Sequence, residues 1–376
     1  MRVGADGALR ACLGGRDRLE LLPLLAAGDD AARLCVGGYP RGTTEHVSDG
    51  SPAEGPLADG QGRRIRYLRL SLTDACNFAC SYCSPHPQRS HEALPREAVA
   101  RLVGVFARMG VERVRLTGGE PTLRPDLLEV VRDIAAVPGI QEIALTTNGQ
   151  LLDRLATPLR DAGVSRLNLS LDTLRPDRLA RLSGKTASLP RVLAGLAAAG
   201  RAGFVALKLN AVVVRGQNED ELGDLARFAW RQGAIARFIE LMPFGVGEPV
   251  PLAEAKQLLE AQGVHLTPDA TRGWGPARHM RGFSGSGADR VEGLVGFIGA
   301  MTESFCEDCN RVRVGADGAL RACLGGRDRL ELLPLLAAGD DAAVATRIRQ
   351  ALLLKAERHD MAARPGDLPP MIGVGG

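Results

Sequence analysis

The 376-residue sequence predicts an α/β fold, an incomplete (β/α)6 barrel of the TIM type with a C-terminal cluster-binding α+β region. Three observations lead there. From Ile65 onward, short β-rich runs alternate with amphipathic helical patterns. Glycines punctuate the ends of the helical stretches. The chemically unusual residues fall where the β-runs end, as they do in barrels whose sites sit at the C-terminal ends of parallel strands.

In chain order, strands are expected at 65–72, 113–116, 142–146, 166–171, 205–214 and 236–241. The first helix opens at Pro95 and stops at Gly110, the usual asymmetry of proline in the first turn and glycine after the last. Later helices are expected to stop near Gly139, Gly163, Gly200 and Gly233. Six such units give an incomplete barrel. An amphipathic helix near 252–261 and a Gly-rich stretch then lead to the C-terminal region. The N-terminus stands apart, because residues 2–32 are identical to 313–343. Structural repeats recur at short period, in several units and with variation. This pair points instead to a duplication or fusion, and to an idle extension; the alternative is that the copy competes with 313–343 for the same docking surface. Residues 37–62, rich in Gly, Pro, Ser and acid, read as a flexible linker. The expected domains are therefore 1–62, 63–247 and 248–376.

Composition narrows the function. A formal charge of +3 without blocks of like charge argues against nucleic acid. The apolar runs are too short to span a bilayer and the N-terminus lacks the regions of a secretory signal, so a cytoplasmic protein is expected. In that compartment eight cysteines, six of them in two tight groups, suit metal or cluster ligation better than disulfides. Cys12 and Cys35 are left over.

The first group is Cys76, Cys80 and Cys83, spaced C-x3-C-x2-C. Three thiolates plus a distant ligand would close a zinc site, whereas an iron-sulfur cubane held by three keeps one iron open for chemistry. The second group, Cys306, Cys309 and Cys323, is spaced C-x2-C-x13-C and again offers three ligands. Either a zinc knuckle or a second cluster fits it. Beside it Arg311 and Arg313 alternate on an expected strand, two guanidinium forks suited to a triphosphate. Lys208, inside an apolar strand, needs solvent or an anion, and the anion is favoured. Gly118 and Gly119 beside Glu120 would let backbone approach a ligand closely. Asn148-Gly149 alone is a turn, Met242 alone is core, and His86, His91, His265, His279 and His359 lack ligand spacing.

The first cysteine loop resembles the signature of the radical S-adenosylmethionine (SAM) enzymes. With Arg115-Leu-Thr-Gly-Gly-Glu-Pro121, Thr146-Thr-Asn-Gly149, Asn168-Leu-Ser-Leu-Asp172, Phe238-Ile-Glu-Leu-Met242, Cys306-x2-Cys309-Asn-Arg-Val-Arg313 and the terminal Gly375-Gly376, the chain from about 63 to 345 resembles the GTP 3',8-cyclases of molybdenum cofactor biosynthesis. Ala75 and Ser84 depart from the family's usual arginine and methionine. The resemblance implies a lyase with two 4Fe-4S clusters, one on Cys76, Cys80 and Cys83, the other on Cys306, Cys309 and Cys323. It implies that Tyr82, Gly119, Ser170 and Met242 line the SAM site. It implies GTP contacts from Arg69, Arg115, Thr146, Lys208, Asn310, Arg311, Val312 and Arg313, and a catalytic tail of Gly375 and Gly376. A 5'-deoxyadenosyl radical would take hydrogen from C3' of GTP, and the carbon radical would attack C8. The implied partners are an electron donor of flavodoxin or ferredoxin type and a downstream cyclic pyranopterin monophosphate synthase; a homodimer is compatible. The rival readings are a peptide-modifying radical SAM enzyme, which would not need Arg311, Arg313 or the Gly-Gly tail, and a non-catalytic redox or zinc scaffold, which would not cleave SAM.

Overall fold

The computed structural model describes residues 2–3, 8–10, 18–20, 55–83, 93–273, 275–363, 368 and 371–374. It divides into two compact units, Met1–Ser51 and Pro52–Gly376. In the first, strands Arg2–Val3, Ala8–Arg10 and Arg18–Glu20 form a three-stranded antiparallel sheet.

The second unit is built on a twelve-stranded sheet. Its first six strands are β1 (Tyr67–Ser71), β2 (Arg113–Thr117), β3 (Glu142–Thr147), β4 (Arg166–Ser170), β5 (Ala206–Val213) and β6 (Ile235–Glu240). They pair in sequence order, all parallel. Helices α1 (Arg96–Arg108), α2 (Leu127–Ala135), α3 (Leu152–Ala162), α4 (Pro176–Ser183), α5 (Leu189–Ala202) and α6 (Leu222–Arg231) connect or follow them. Six expected strands are thus six observed ones. The reason is visible in β5, where Leu207, Leu209, Ala211 and Val213 are buried and the intervening Lys208 and Asn210 are not. A period of two sends one set into the helix-covered core and the other to the opposite face.

The C-terminal half adds strands to both edges. Helix α7 (Leu252–Ala261) leads into the antiparallel run β7 (His265–Arg272), β8 (Arg278–Ser284) and β9 (Val291–Ile298), and β9 pairs parallel with β6. On the far side β10 (Arg311–Val314) pairs parallel with β1, followed by β11 (Ala319–Arg321) and β12 (Leu330–Glu331). The order β7-β8-β9-β6-β5-β4-β3-β2-β1-β10-β11-β12 has two ends, so the barrel is open. Helices α8 (Leu333–Ala338) and α9 (Asp341–Leu353) follow. Among the described residues no helix is long and apolar enough to cross a membrane.

Two expectations need correction, and one stretch left unassigned gains a structure. Helix α5 runs through Gly200, which faces open space, and stops at Gly203, whose φ of +78° is the left-handed cap. The Gly-rich stretch after α7 forms the β7–β8 pair, where Gly282 leaves room for the Trp230 ring. The expected linker 37–62 does not reach Gly62: Leu57 is 1% exposed, Ala58 bridges Arg64, and the Asp59 carboxylate is buried. We therefore expect removal of residues 1–51 to leave the melting temperature of the remainder unchanged. Removal of 1–62 should cost at least ~2–5 kcal/mol for Leu57 alone, measurable by denaturant unfolding.

The two copies of the repeated segment adopt one meander. Arg2 faces Arg10 as Arg313 faces Arg321, and Ala8 faces Glu20 as Ala319 faces Glu331. Register is thus encoded within the segment.

Candidate active site

A cavity of about 580 Å³ lies on the polar face of the sheet, and all six cysteines of the two triplets line it. The first triplet sits in the loop after β1. Several neighbours hold that loop. Asn148 Nδ2 donates to Asn77 Oδ1 at 2.7 Å from the turn after β3. Ala79 and Ser81 N–H groups donate to Ser183 and Leu182 carbonyls at 2.9 and 3.0 Å. A Cβ on Gly245 would lie 2.4 Å from the Ser81 carbonyl oxygen, so only glycine lets that chain close over the loop.

Gly118 and Gly119 line the cavity, and both also approach backbone closely. A Cβ on Gly119 would lie 2.3 Å from the Ala75 oxygen, and one on Gly118 2.4 Å from the Thr73 oxygen. The Gly119 and Glu120 N–H groups donate to Thr73 and Ala75 at 2.7 and 2.8 Å, which docks the turn after β2 against the approach to Cys76. Glu120 is buried and accepts from Thr122 N and Oγ1, Thr147 Oγ1 and Asn148 N, so its carboxylate organises the turns after β2 and β3. Burial still pushes its pKa up against those bonds. The Tyr82 hydroxyl donates to Asp172 Oδ2 at 2.6 Å, and Asp172 Oδ1 accepts from Val212 N at 2.8 Å. Burial raises Asp172 to about 6 although the Tyr82 bond opposes it. Gly119, Ser170, Met242 and Tyr82 all lie on the cavity wall.

The donor set suits a cluster. Burial pushes the free thiols of Cys76 and Cys80 up to about 12 and about 11, and Cys83 higher still, a cost that ligation to iron would offset by stabilising thiolate. Among the described residues no three His, Cys, Asp or Glu side chains gather tightly enough for one ion. A cluster is wider, and each of its irons takes a separate thiolate.

The opposite part of the cavity is cationic, and strand register explains why. Arg313 on β10 faces Arg69 on β1, which faces Arg115 on β2, one row across three parallel strands. Burial, with Arg313 and Arg115 beside it, pulls Arg69 well below its usual range. Burial and Arg311 bring Arg313 down to about 10. Burial, with Arg237 and Arg115 alongside, lowers Lys208 to about 7. Neighbouring guanidinium groups thus act on each of these cations as like charges, an arrangement suited to an anion. Two carboxylates of the cavity lie on this side: Glu142 pairs with Arg166 and also acts on Lys208, and Glu240 accepts from the Met301 and Thr302 N–H groups.

Of the expected GTP contacts, Arg69, Arg115, Thr146, Lys208, Arg311 and Arg313 line the cavity. Asn310 and Val312 are not on its wall. The Asn310 carbonyl accepts from Arg66 and Tyr67 N–H groups, and Val312 is fully buried on the core face of β10. Arg237, which sequence reading passed over, does line it; it faces Asn210 across β5 and β6, and burial lowers it to about 9. Its signal was alternation, since Arg237 flanks the buried Phe238 as Lys208 flanks Leu207. His279 and His359 also reach the wall. Met371 lines the cavity and the Val374 carbonyl accepts from Arg313 Nη1 at 3.3 Å. Gly375, Gly376, Ser84, His86, His91, Cys12 and Cys35 lie outside the described residues.

Known proteins agree with this geometry. The radical SAM superfamily matches residues 70–229, and the family described as Molybdenum Cofactor Synthesis C matches 234–361. The GTP 3',8-cyclase of Pseudomonas entomophila is 42% identical over 317 residues, 81% of this chain and 92% of that protein. The GTP 3',8-cyclase of Pelotomaculum thermopropionicum is 40% identical over 334 residues, covering 85% of this chain and 100% of that one. Among solved structures, Streptococcus suis SuiB bound to S-adenosylmethionine superposes with a TM-score of 0.53 at 16% identity, over 76% of this chain and 68% of that chain, which supports the fold alone. Two matched families in order, and relatives matched over nearly their whole length, place this chain in the GTP 3',8-cyclase family of radical SAM enzymes.

Proposed function

We propose that this protein converts GTP to 3',8-cyclo-7,8-dihydro-GTP, the first step of molybdenum cofactor biosynthesis. The observation that carries this reading is one cavity with a cysteine loop at one side and a row of arginines with Lys208 at the other. Cys76, Cys80 and Cys83 would hold a 4Fe-4S cluster, with Tyr82, Gly119, Ser170 and Met242 around SAM. Bound there, cluster and SAM supply a one-electron cleavage that yields the hydrogen-abstracting radical. The chain's own task is aim. Arg69, Arg115, Lys208, Arg311 and Arg313, with Arg237 added, would clamp the triphosphate, and Thr146 the nucleoside, so that remote binding energy fixes C3'. Asn310 and Val312 would act through their backbone groups. Cys306, Cys309 and Cys323 would hold a second cluster facing the base. The Val374 carbonyl's contact to Arg313 supports the catalytic role proposed for Gly375 and Gly376. An electron donor of flavodoxin or ferredoxin type and a downstream cyclic pyranopterin monophosphate synthase complete the proposal, as does residues 1–51 being dispensable.

The test uses anaerobically reconstituted protein, SAM, a strong reductant and GTP deuterated at C3'. Deuterium in 5'-deoxyadenosine together with a cyclised guanosine product is expected. Deoxyadenosine free of deuterium would move the substrate elsewhere and favour the peptide-modifying reading.

Lys208 gives a second test. Its ammonium sits near 7 without substrate, and a phosphate beside it would raise that value. GTP affinity should then be full below about pH 7 and fall as pH rises above it, with proton uptake on binding near pH 8. Calorimetry in buffers of different ionisation heat would detect the uptake, and Lys208→Met should abolish it.

A further inference from the structure

Outside the cavity wall, three charged side chains are sealed against the second cysteine triplet. Lys355 is 4% exposed, and its Nζ donates to the Arg311 carbonyl at 2.7 Å and to Cys309 Sγ at 3.4 Å. Its nearest carboxylate is Asp59, with Oδ2 3.9 Å away. Asp59 is committed to Arg63: Oδ2 accepts from Arg63 Nε at 2.7 Å, and Oδ1 accepts from the Gln61 and Arg63 N–H groups at 3.0 Å. Arg63 in turn donates through Nη1 to the Cys306 and Glu357 carbonyls at 2.7 and 2.8 Å, and through Nη2 to Ala356 at 2.9 Å. Segments 57–63, 306–311 and 355–357 are thereby tied together.

The charges do not cancel. Two cations share one buried carboxylate, and the one less tightly held by it is aimed at a sulfur that Arg311 Nη2 also approaches, at 3.7 Å. A buried ammonium whose closest contacts are a carbonyl and a neutral thiol, with an already paired carboxylate 3.9 Å away, would be costly, so the site is built for a negative sulfur. We propose that Lys355 is a positioning residue of the second cluster: its ammonium hydrogen-bonds the Cys309 thiolate and balances the cluster's negative charge, with Asp59 and Arg63 holding it in place. This rests on the reading that Cys306, Cys309 and Cys323 carry a cluster. Hydrogen bonds and charges around cluster sulfurs set the reduction potential and ligand retention, so the ammonium favours the reduced, more negative state.

The experiment is a redox titration of the reconstituted full-length protein, followed by electron paramagnetic resonance with and without SAM, with iron and sulfide counted per chain. The signal that SAM leaves unchanged reports the second cluster. Lys355→Met should move its midpoint to more negative potential and let a chelator strip its iron more readily, by about 10–100-fold in affinity. Asp59→Asn should move it the opposite way, because it leaves the ammonium less neutralised; this holds the test open if Lys355→Met keeps no second cluster. Lys355→Arg, which keeps the charge, should stay near the wild-type midpoint. Unchanged midpoints in both neutral variants, or shifts of the same sign, would overturn the proposal and leave Lys355 a purely structural tie. Wild-type protein that binds only one cluster's worth of iron, lost on Cys80→Ala, would instead overturn the reading of the second triplet.

Discussion

Cys80→Ala is expected to lower reductive SAM cleavage by more than ~10³-fold, a barrier increase of over ~4 kcal/mol. The size follows from what the loop does. Its three thiols meet one cavity, and the backbone between them is pinned by Ser183, Leu182 and Gly245 rather than by the cysteines themselves. Removing one ligand therefore leaves the loop's path intact while removing one of three cluster attachments. Iron per chain should fall by one cluster's worth, with far-ultraviolet circular dichroism unchanged. The readout is 5'-deoxyadenosine formed with excess reductant, with and without GTP. A rate within tenfold of wild type would sink the assignment of the open iron to this loop.

The Arg311→Ala/Arg313→Ala double variant should weaken GTP binding by about 10²–10⁴-fold. A hydrogen bond from a charged donor to phosphate is worth ~1.5–3 kcal/mol, so two give ~3–6 kcal/mol. The lower end is expected. Arg313 stands in a row with Arg69 and Arg115, and without a bound anion these guanidinium groups repel one another. Taking two of them away relieves that repulsion in the free protein, so thermal stability should hold or rise while affinity falls. Equilibrium dialysis with labelled GTP, beside a melting curve, separates the two effects. Unchanged GTP affinity would remove β10 from the substrate site. A parallel loss of stability and affinity would mean the arginines serve the fold.

Much of the frame was legible before any coordinates. The alternation Leu207-Lys208-Leu209-Asn210 announces a strand with an apolar back and a polar front, and β5 has both. Pro95 and Gly110 bracket the first helix as expected. The errors were local ones of punctuation. Gly200 looked like a stop but lies on an exposed helical turn that tolerates glycine, while Gly203 supplies the positive φ. Leu57 and Asp59 sit in a polar, glycine-rich context that reads as linker, and only their distant partners Met109 and Lys355 reveal them as core.

By itself the sequence determined which residues alternate, where strands end, and that two cysteine triplets are spaced for thiolate ligation, because these are properties of neighbours along the chain. The tertiary structure alone decided that both triplets face one cavity, that Arg313, Arg69 and Arg115 form a row, and that Arg237 joins them. It alone brought Lys355 to Cys309 and docked Gly118 and Gly119 against the backbone that leads to Cys76. The physical reason is register: pairing distant strands in parallel fixes which side chains become neighbours, and no local pattern encodes that choice.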